Sequence, residues 1–420
     1  MAIKIKNSNQ LAVTASRKNA LAIISAGLAA VATTDVLKKQ LNLNGPMLTV
    51  KNHAVNLDDY KRVFLIGIGK AANEAALFLE SILGNKITDG VVLDLKTERY
   101  DRLQSYAVHH PRPSSENIAA SKKIVELSRG ISSSDLVLAV VSGGGSAMLC
   151  WPETECDDSI KLYDAFLRTG GNIRELNTVR KHISGLKGGG LAQLFYPARI
   201  LGFIFCDIAG NHYDEVASGP TYLDKTTLAD AEDVIRKYSL PELKLNETPK
   251  EERYFANITN IPLVSNETAL KAMTEKAAEL GLKPTVVSAA ITAAAPTAAA
   301  AFREVSPNYN AVLGGGEIAV AVKQSDGTGG RNQLLALEFA SSLKPGETFV
   351  SLASDGLDNS DAAGAIVDGQ TLVTAQKLGL DYRVYLEKID PYDFFLKTGD
   401  LIFSGPTGAN VADLMLLLRE

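Results

Sequence analysis

Short apolar runs alternate with helical patterns along nearly the whole of this 420-residue chain. The runs of the first half lie at Val63–Ile66, Val91–Leu93, Leu136–Val141 and Ile200–Phe205. Each is a short run of apolar residues, which is typical of strands that are buried on both faces of a parallel sheet. Helical patterns at 71–83 and 117–128 lie between them. This alternation predicts right-handed βαβ units and an α/β fold.

The alternation resumes after a polar stretch, Pro241–Glu252, which is rich in charged residues and is typical of a domain boundary. The apolar runs beyond it lie at Leu263–Val264, Pro284–Val287, Ala311–Leu313, Ile318–Val322 and Phe349–Ala353. The alanine-rich stretch 293–301 is compatible with a short helix or with a pliable linker. The sequence therefore predicts two α/β domains with mostly parallel sheets, 1–245 and 253–420, with a cleft between them.

The N-terminal segment has two interpretations. Arg17 and Lys18, followed by the apolar run 21–32, resemble a secretory signal peptide. The alternative, which we favour, is one helix that continues to Leu41 and packs its apolar face on the first domain. No other apolar run approaches the roughly 20 residues of a membrane span, so we expect a cytoplasmic protein without a membrane partner.

Composition excludes several classes of function. The formal net charge is −5 and the basic residues are scattered, so nothing suggests a nucleic-acid partner. Cys150, Cys156 and Cys206 show no CxxC spacing, which indicates buried free thiols in a reducing compartment rather than a metal cluster. The oligomeric state stays open, and a homo-oligomer is possible.

Glycine-rich turns carry the candidate chemistry. The loop Ser142-Gly143-Gly144-Gly145-Ser146 directly follows the predicted strand 136–141. Glycines allow a sharp turn whose backbone N–H groups come close to an anion, although a merely flexible turn is the alternative. A second loop, Lys187-Gly188-Gly189-Gly190, follows the cations Arg180, Lys181 and His182. Together these loops favour oxyanion binding.

The three consecutive cations cannot all face one ligand if they lie on a helix. Asn177 and Lys181 would share one face, and Arg180 would lie on another. A salt-bridged helix is the alternative interpretation of this segment.

The segment Gly67-Ile-Gly-Lys-Ala-Ala72 fits the GxGxxA pattern of a Rossmann-like dinucleotide fold, with Asp94 as a candidate ribose ligand. Lys70 is a cation near the start of a predicted helix, where it could meet a phosphate; a solvated surface lysine is the alternative. The chain has no P-loop motif.

Asp207 follows a predicted strand, at the edge where α/β sheets collect ligands, and could hold Mg²⁺ or accept a hydroxyl proton. A loop-capping role is the alternative. In the second half, the glycine loop 314–317 ends in Glu317, and the loop 327–333 carries Arg331, which suits a bidentate contact with phosphate. The segment 353–361 contains three carboxylates but is too short for an EF-hand. The segment 407–413 is interpreted as a loop that caps a last helix.

A set of short motifs occurs in one order along the chain: Val141–Ala147, Asn177–His182, Lys187–Ala192, Val216–Thr221, Gly329–Gln333, Asp355–Asp358 and Thr407–Val411. In this combination the sequence resembles the class II glycerate 2-kinase family, whose C-terminal part is called MOFRL. The resemblance extends from about Gly67 to the C-terminus. It implies Mg²⁺-dependent transfer of the ATP γ-phosphoryl group to the C2 hydroxyl of D-glycerate, giving 2-phospho-D-glycerate and ADP, with residues 253–420 as the MOFRL-type domain.

The resemblance places the family's catalytic residues on Lys70, Asp207 and Arg331, and metal ligands on Asp207 and Asp355. The residues expected to bind substrate or nucleotide are Ser142, Gly143, Gly144, Gly145, Ser146, Asn177, Arg180, Lys181, Lys187, Gly188, Gly189, Gly316, Glu317, Asn332, Asp355 and Asn410. Two departures from the family pattern are a segment 353–361 that is one residue shorter and Leu334 in place of a glutamate. An NAD(P)H-dependent hydroxypyruvate reductase, suggested by GxGxxA, and a non-catalytic sugar-phosphate sensor are the alternatives.

Overall fold

The computed structural model describes residues 5–169, 171–208, 210–319 and 327–419. Its strands, in chain order, are β1 (Leu41–Asn44), β2 (Met47–Val50), β3 (His53–Asn56), β4 (Arg62–Ile68), β5 (Asp89–Asp94), β6 (Gln104–Ala107), β7 (Asp135–Ser142), β8 (Arg199–Phe205), β9 (Ile258–Val264), β10 (Pro284–Ile291), β11 (Ala311–Gly316), β12 (Glu347–Ala353), β13 (Gly364–Asp368), β14 (Leu401–Ile402) and β15 (Asp413–Arg419). Most of the predicted strand 318–322 lies outside the described residues.

The helices are α1 (Ser8–Leu11), α2 (Ala15–Ala30), α3 (Thr33–Gln40), α4 (Ala72–Leu83), α5 (Ser115–Leu127), α6 (Gly145–Met148), α7 (Thr154–Phe166), α8 (Ile173–His182), α9 (Gly190–Phe195), α10 (Leu228–Tyr238), α11 (Asn266–Glu279), α12 (Ala295–Glu304), α13 (Arg331–Ala340), α14 (Gly369–Lys377), α15 (Tyr382–Lys388) and α16 (Pro391–Thr398). The alanine-rich stretch that allowed two interpretations is therefore helical, and it begins with a proline in the first turn of α12.

The chain divides into two compact units that interleave along the sequence. The parallel-sheet unit consists of Val36–Cys206 and His212–Leu263, and the mixed-sheet unit consists of Met1–Asp35, Asp207–Asn211 and Val264–Glu420. The domain limits 1–245 and 253–420 stay a prediction. The structure adds that the first residues of the chain and a short segment after β8 belong with the C-terminal residues.

The parallel-sheet unit contains a six-stranded sheet in the order β6-β5-β4-β7-β8-β9, with β6, β5, β4, β7 and β8 all parallel. Every residue of β7 is buried, as expected for an aliphatic strand with helices on both faces. The pairs Ile68↔Val141 and Ser142↔Phe205 align the carboxyl ends of β4, β7 and β8. The predicted parallel sheet is confirmed here. A separate antiparallel sheet contains β1, β2 and β3.

The mixed-sheet unit departs from the prediction. Its sheet has the order β10-β11-β15-β12-β13-β14, and only β10 and β11 are parallel. The expectation of a mostly parallel sheet is wrong for this unit because β15, the last strand, runs antiparallel between β11 and β12. The predicted last helix is wrong for the same reason, since residues 414–418 are fully buried within the sheet. The α/β class itself is confirmed.

The N-terminal segment forms two helices, α2 and α3, which meet at a bend of 58° instead of forming one helix. The apolar face of α2 packs against α11 in the mixed-sheet unit, so the expectation that it packs on the first domain is wrong. Arg17 explains the difference, since this buried cation pairs with Asp368 at 2.7 Å and with Asp400 at 2.8 Å. Among the described helices no single one has the length and apolarity of a membrane span, and only the bent pair α2 and α3 reaches them together.

Candidate active site

Three predicted site segments follow the carboxyl ends of neighbouring parallel strands. Lys70 comes two residues after β4, the loop Gly143–Ser146 follows β7, and Asp207 comes two residues after β8. In open α/β sheets this edge is where ligands bind. The sheet order therefore brings the carboxyl ends of β4, β7 and β8 side by side.

The Lys70 turn and the glycine loop are joined by hydrogen bonds. The Lys70 amide donates to the Gly143 carbonyl at 2.9 Å, and the Ser142 hydroxyl donates to the Ile68 carbonyl at 3.1 Å. A Cβ atom on Gly69, where φ is +107°, would lie 2.4 Å from the Ser142 hydroxyl oxygen. Only glycine permits this approach. A Cβ on Gly144 would lie 3.2 Å from Cγ of Lys70, so the lysine stem passes over the glycine loop.

The two glycine loops differ in what their amides do. The amides of Gly144, Gly145 and Ser146 donate no hydrogen bond to any other described residue. They form a turn with Gly144 at φ +83°, and such turns bind anions. In the second loop, by contrast, the Gly188 amide donates to the Ser218 carbonyl at 2.9 Å and the Gly189 amide to Gly219 at 2.8 Å. The second loop thus holds another loop in place instead of offering these amides to a ligand.

Two of the predicted cations have internal partners. The Lys181 ammonium lies 2.8 Å from the Glu215 carboxylate and 3.4 Å from Asp224. The ammonium of Lys187 pairs with Glu155, and both side chains are buried. A buried ion pair neutralises both charges within the protein. Lys181 and Lys187 therefore fit the interpretation of a salt-bridged segment better than direct ligand contact.

Arg180 differs from these two lysines, since no carboxylate of the described residues lies within 4.0 Å of its guanidinium. Its contacts are the Asn177 side-chain oxygen at 3.4 Å and the Tyr163 ring, whose centroid is 5.9 Å away. Burial lowers the pKa of Arg180 to about 10, against weaker opposing effects of Tyr163 and Glu155. A partly buried cation without a counter-charge favours the binding of an external anion.

Hydrogen bonds connect Arg180 to the glycine loop. The oxygen of Asn177 that accepts from Arg180 also accepts from the Ser218 hydroxyl at 3.3 Å, and Ser218 lies 2.8 Å from the Ser146 hydroxyl. The side-chain NH2 group of Asn177 donates to the Glu215 carboxylate at 3.0 Å, which fixes the orientation of the Asn177 side chain. One polar network thus joins the unpaired guanidinium to a loop with unused amides.

Ser218 was not among the predicted site residues. It lies in a run of three left-handed residues, with φ of +51° at Ala217, +59° at Ser218 and +61° at Gly219. Such conformations cost about 1–3 kcal/mol each in non-glycine residues and occur where function requires them. The sequence does contain a signal for this residue, because Ser218 lies in the motif Val216–Thr221. Glu215, which directly precedes that motif, could have been noticed for the same reason.

The candidate ribose ligand Asp94 has a different role. One of its carboxylate oxygens accepts from the Asn73 amide at 3.0 Å, in the first turn of α4, and the other from the Leu95 amide at 2.6 Å. The side chain is buried, and burial raises its pKa. Asp94 therefore caps a helix, and Gly69 packs closely against Ser142 and Gly143.

In the mixed-sheet unit, Arg331 is held between two acids. Its Nε lies 2.5 Å from Asp413, its NH2 lies 3.2 Å from the second Asp413 oxygen, and NH2 also lies 2.9 Å from Glu317. Burial alone would lower the pKa of Arg331, but Asp413 and Glu317 together raise it above its usual value. Its NH1 group donates to no described residue and stays available. Asp413 was missed because the segment 407–413 was interpreted as a helix cap.

Asn332 and Asp358 stabilise the start of α13. Asp358 accepts the amides of Asn332 at 3.2 Å and Gln333 at 2.9 Å, and the Asn332 side chain receives a bond from Ser351 at 2.6 Å. Burial, with Asp413 nearby, raises the pKa of Asp358 to about 6. Asn332 is fully buried, so it supports the loop that carries Arg331. Gly316 likewise has a packing role, since a Cβ there would lie 2.2 Å from the backbone of Ile291.

Asp207 and Asp355 lie on connected loops of the mixed-sheet unit. The side-chain amide of Asn410 donates to the Asp207 carboxylate at 3.4 Å. In the same loop as Asn410, the backbone amide of Thr407 donates to the Asp355 carbonyl at 3.0 Å, so this loop connects Asp207 with Asp355. In the described part of the chain no three His, Cys, Asp or Glu side chains are grouped as in a metal site. The three cysteines are free and buried, as predicted.

Residues 19–249 match the family model described as Domain of unknown function (DUF4147), and residues 310–413 match the MOFRL family. The chain is 35% identical over 409 residues to D-glycerate 2-kinase of Thermotoga maritima, covering 91% of this chain and 96% of that protein. It is 33% identical over 387 residues to an Agrobacterium vitis protein provisionally named hydroxypyruvate reductase, covering 85% and 87%. A crystal structure of glycerate kinase from Thermotoga maritima matches with a TM-score of 0.81 and 32% identity, covering 96% of this chain and 99% of that one.

Proposed function

The chain belongs to the class II glycerate kinase family, in which a DUF4147 region precedes a MOFRL domain, and on this premise we propose that it is a glycerate 2-kinase. It transfers the γ-phosphoryl group of ATP to the C2 hydroxyl of D-glycerate and releases 2-phospho-D-glycerate and ADP. The three buried free thiols support a reducing, cytoplasmic setting for this reaction.

The observation that carries the proposal is the unpaired Arg180 and its connection to the glycine loop. Its guanidinium has no carboxylate partner among the described residues, and the network through Asn177 and Ser218 leads to Ser146, where three successive amides are unused. Both substrates of a glycerate kinase are anions, one through its carboxylate and the other through its phosphates. A site with a cation and free N–H donors suits either group.

The reductase alternative lacks this support. A dinucleotide fold needs a free carboxylate for the ribose and an open glycine turn for the pyrophosphate. Here Asp94 binds two backbone amides, and Gly69 lies against Ser142 and Gly143. The GxGxxA turn contacts other residues of the protein, which favours the kinase over the reductase.

Phosphoryl transfer requires positioning and neutralisation of charge more than covalent chemistry from the protein. Asp207, held by Asn410, accepts the proton of the attacking C2 hydroxyl. Lys70 in the parallel-sheet unit and the NH1 group of Arg331 in the mixed-sheet unit are each cations suited to neutralise phosphoryl oxygens. Asp413 and Glu317 fix the plane of the Arg331 guanidinium while leaving that edge available.

The residues present fit Mg²⁺, which usually takes one or two protein carboxylates and completes its shell with phosphate oxygens and water. Asp355, on a loop connected to that of Asp207, would supply such a carboxylate. The bound ion would neutralise phosphate charge, while the residues named above orient the hydroxyl and hold the proton.

The test is a pair of assays on one preparation. ATP with D-glycerate should yield ADP and a phosphate ester at C2, identified by ³¹P and ¹H NMR. NAD(P)H with hydroxypyruvate should yield no oxidation above background. Turnover of NAD(P)H without phosphorylation would overturn the proposal. Arg180→Met should depress the kinase reaction, and Arg174→Met, on the exposed side of the same helix, is the matched control.

A further inference from the structure

The parallel-sheet unit has a polar pocket at the edge of its sheet opposite the glycine loop Gly143–Ser146. It has a volume of about 360 Å³, and its polar lining comes from Tyr60, Ser133, Arg199, Asn257 and Thr259. We propose that this pocket is a binding site for a small phosphate-bearing anion. The proposal goes beyond the kinase activity and does not depend on it.

The position of the pocket separates it from the active-site loops. Arg199 is the first residue of β8 and pairs with Leu136 near the start of β7. The glycine loop and Asp207 follow the other ends of these strands. A strand of this length spans about 20 Å at ~3.3 Å per residue, so a ligand at Arg199 does not touch the Gly143–Ser146 loop.

Charge gives the pocket its preference for anions. The Arg199 guanidinium makes one hydrogen bond, to the Tyr60 hydroxyl at 3.4 Å, and no carboxylate of the described residues lies within 4.0 Å of it. The lining contains no Asp or Glu. The neighbouring cation Arg62 is neutralised by Asp135 at 2.7 Å, so Arg199 supplies the uncompensated positive charge of this pocket.

The other groups of the lining are neutral hydrogen-bond donors. Tyr60, Ser133 and Thr259 contribute hydroxyl groups, and Asn257 contributes an amide that now donates to Pro197 at 3.3 Å. A phosphate presents three terminal oxygens and accepts more hydrogen bonds than a carboxylate, and arginine binds it through two parallel N–H groups. The volume lies in the range of small-molecule sites. Free phosphate and a three-carbon phosphate ester share this chemistry.

The experiment places a negative charge in the pocket without changing its shape. Binding of inorganic phosphate and of glycerol 3-phosphate is measured by calorimetry on wild type and on Asn257→Asp. Asn257 is exposed, so the fold should be retained. We expect at least a tenfold weaker affinity for both probes at one site, because the new carboxylate repels the anion. Asn52→Asp, an equal change of charge in the exposed turn between β2 and β3, is the control and should bind as wild type.

Arg199→Gln supplies the second variant, and it should abolish the same binding event while changing kcat at saturating substrate less than twofold. Tighter binding of glycerol 3-phosphate than of phosphate would identify an ester as the ligand, and the reverse would identify free phosphate; either result supports the site. If Asn257→Asp binds both probes as wild type does, or if Arg199→Gln retains every binding event of the wild type, the proposal is overturned. Should Arg199→Gln fail to fold, Asn257→Asp decides alone.

Discussion

Replacement of Arg180 by methionine should make the protein more stable and less active. The guanidinium is partly buried and has no carboxylate partner among the described residues, and desolvation lowers its pKa to about 10. A change of this size corresponds to about 3 kcal/mol against the charged form. The substitution keeps much of the apolar stem but removes the charge.

Arg180→Met removes only weak interactions from the folded protein. The interaction with the Tyr163 ring is worth about 0.5–1 kcal/mol, and the long hydrogen bond to Asn177 is worth about as much. The expected net effect is a gain of about 1–2 kcal/mol in the free energy of unfolding. The substrate that uses Arg180 loses a charge-assisted hydrogen bond of about 1.5–3 kcal/mol, so its KM should rise about 10–100-fold.

Two measurements check this prediction: urea denaturation monitored by circular dichroism, and KM for ATP and for D-glycerate determined separately. The substrate whose KM rises is the one whose anion Arg180 binds. Arg174→Met should change neither quantity appreciably, since Arg174 is exposed on the same helix. A destabilised Arg180→Met enzyme with unchanged KM values would refute the reasoning and make Arg180 a structural residue.

Four further predictions concern other parts of the site. Asp207→Asn should lower kcat at least about 10²-fold at unchanged stability, whereas the surface variant Asp233→Asn should retain wild-type turnover. Asp413→Asn should cost about 1.5–3 kcal/mol in the free energy of unfolding, because buried Asp413 loses charge-assisted hydrogen bonds from the partly exposed Arg331. Glu317→Gln, whose acid is half exposed, should cost less than about 1 kcal/mol, and equal costs would contradict the assignment. Gly69→Ala should prevent the Lys70 turn from packing on the glycine loop and should abolish activity. Gly45→Ala, with φ +57° and no atom within 4 Å of the new Cβ, should lower the free energy of unfolding by only about 1–2 kcal/mol. Burial raises the pKa of Asp358 from 3.8 to about 6, so its contribution to stability is complete below pH 4 and is lost as the pH rises through 6. The free energy of unfolding of the wild type, measured relative to that of Asp358→Asn, should therefore fall by about 3 kcal/mol between pH 4 and pH 7. A difference between the two proteins that does not change with pH would refute the assignment.

The two sheets show where sequence patterns suffice and where they fail. The strand β7 is aliphatic and ends in a glycine turn, so both its type and its end follow from the sequence. Residues 414–418 of β15 are equally apolar, but leucine and methionine favour helices, and an apolar run alone does not distinguish a buried strand from a helix. Pairing with β11 and β12 decides the outcome, and those strands lie far away in the sequence.

The candidate site shows the same limit. The sequence identifies the glycine loop and the cluster of cations, because residue type and spacing are local properties. It does not reveal that Lys181 and Lys187 meet Glu215 and Glu155 while Arg180 meets no acid of the described residues. Partner choice depends on contacts between distant segments, and this choice separates the structural cations from the one that we assign to ligand binding.

The ion pairs of Arg17 have a consequence for the order in which the chain folds. Its partners Asp368 and Asp400 follow it in the chain by 351 residues or more. Until they are synthesised, Arg17 has no carboxylate to neutralise its charge, although α11, which packs on α2, precedes both aspartates in the chain. The ion pairs of α2 can therefore form only after the chain has been synthesised as far as Asp400. A fragment that begins at residue 253 would leave two buried aspartates without their cation, and so would not reproduce this unit.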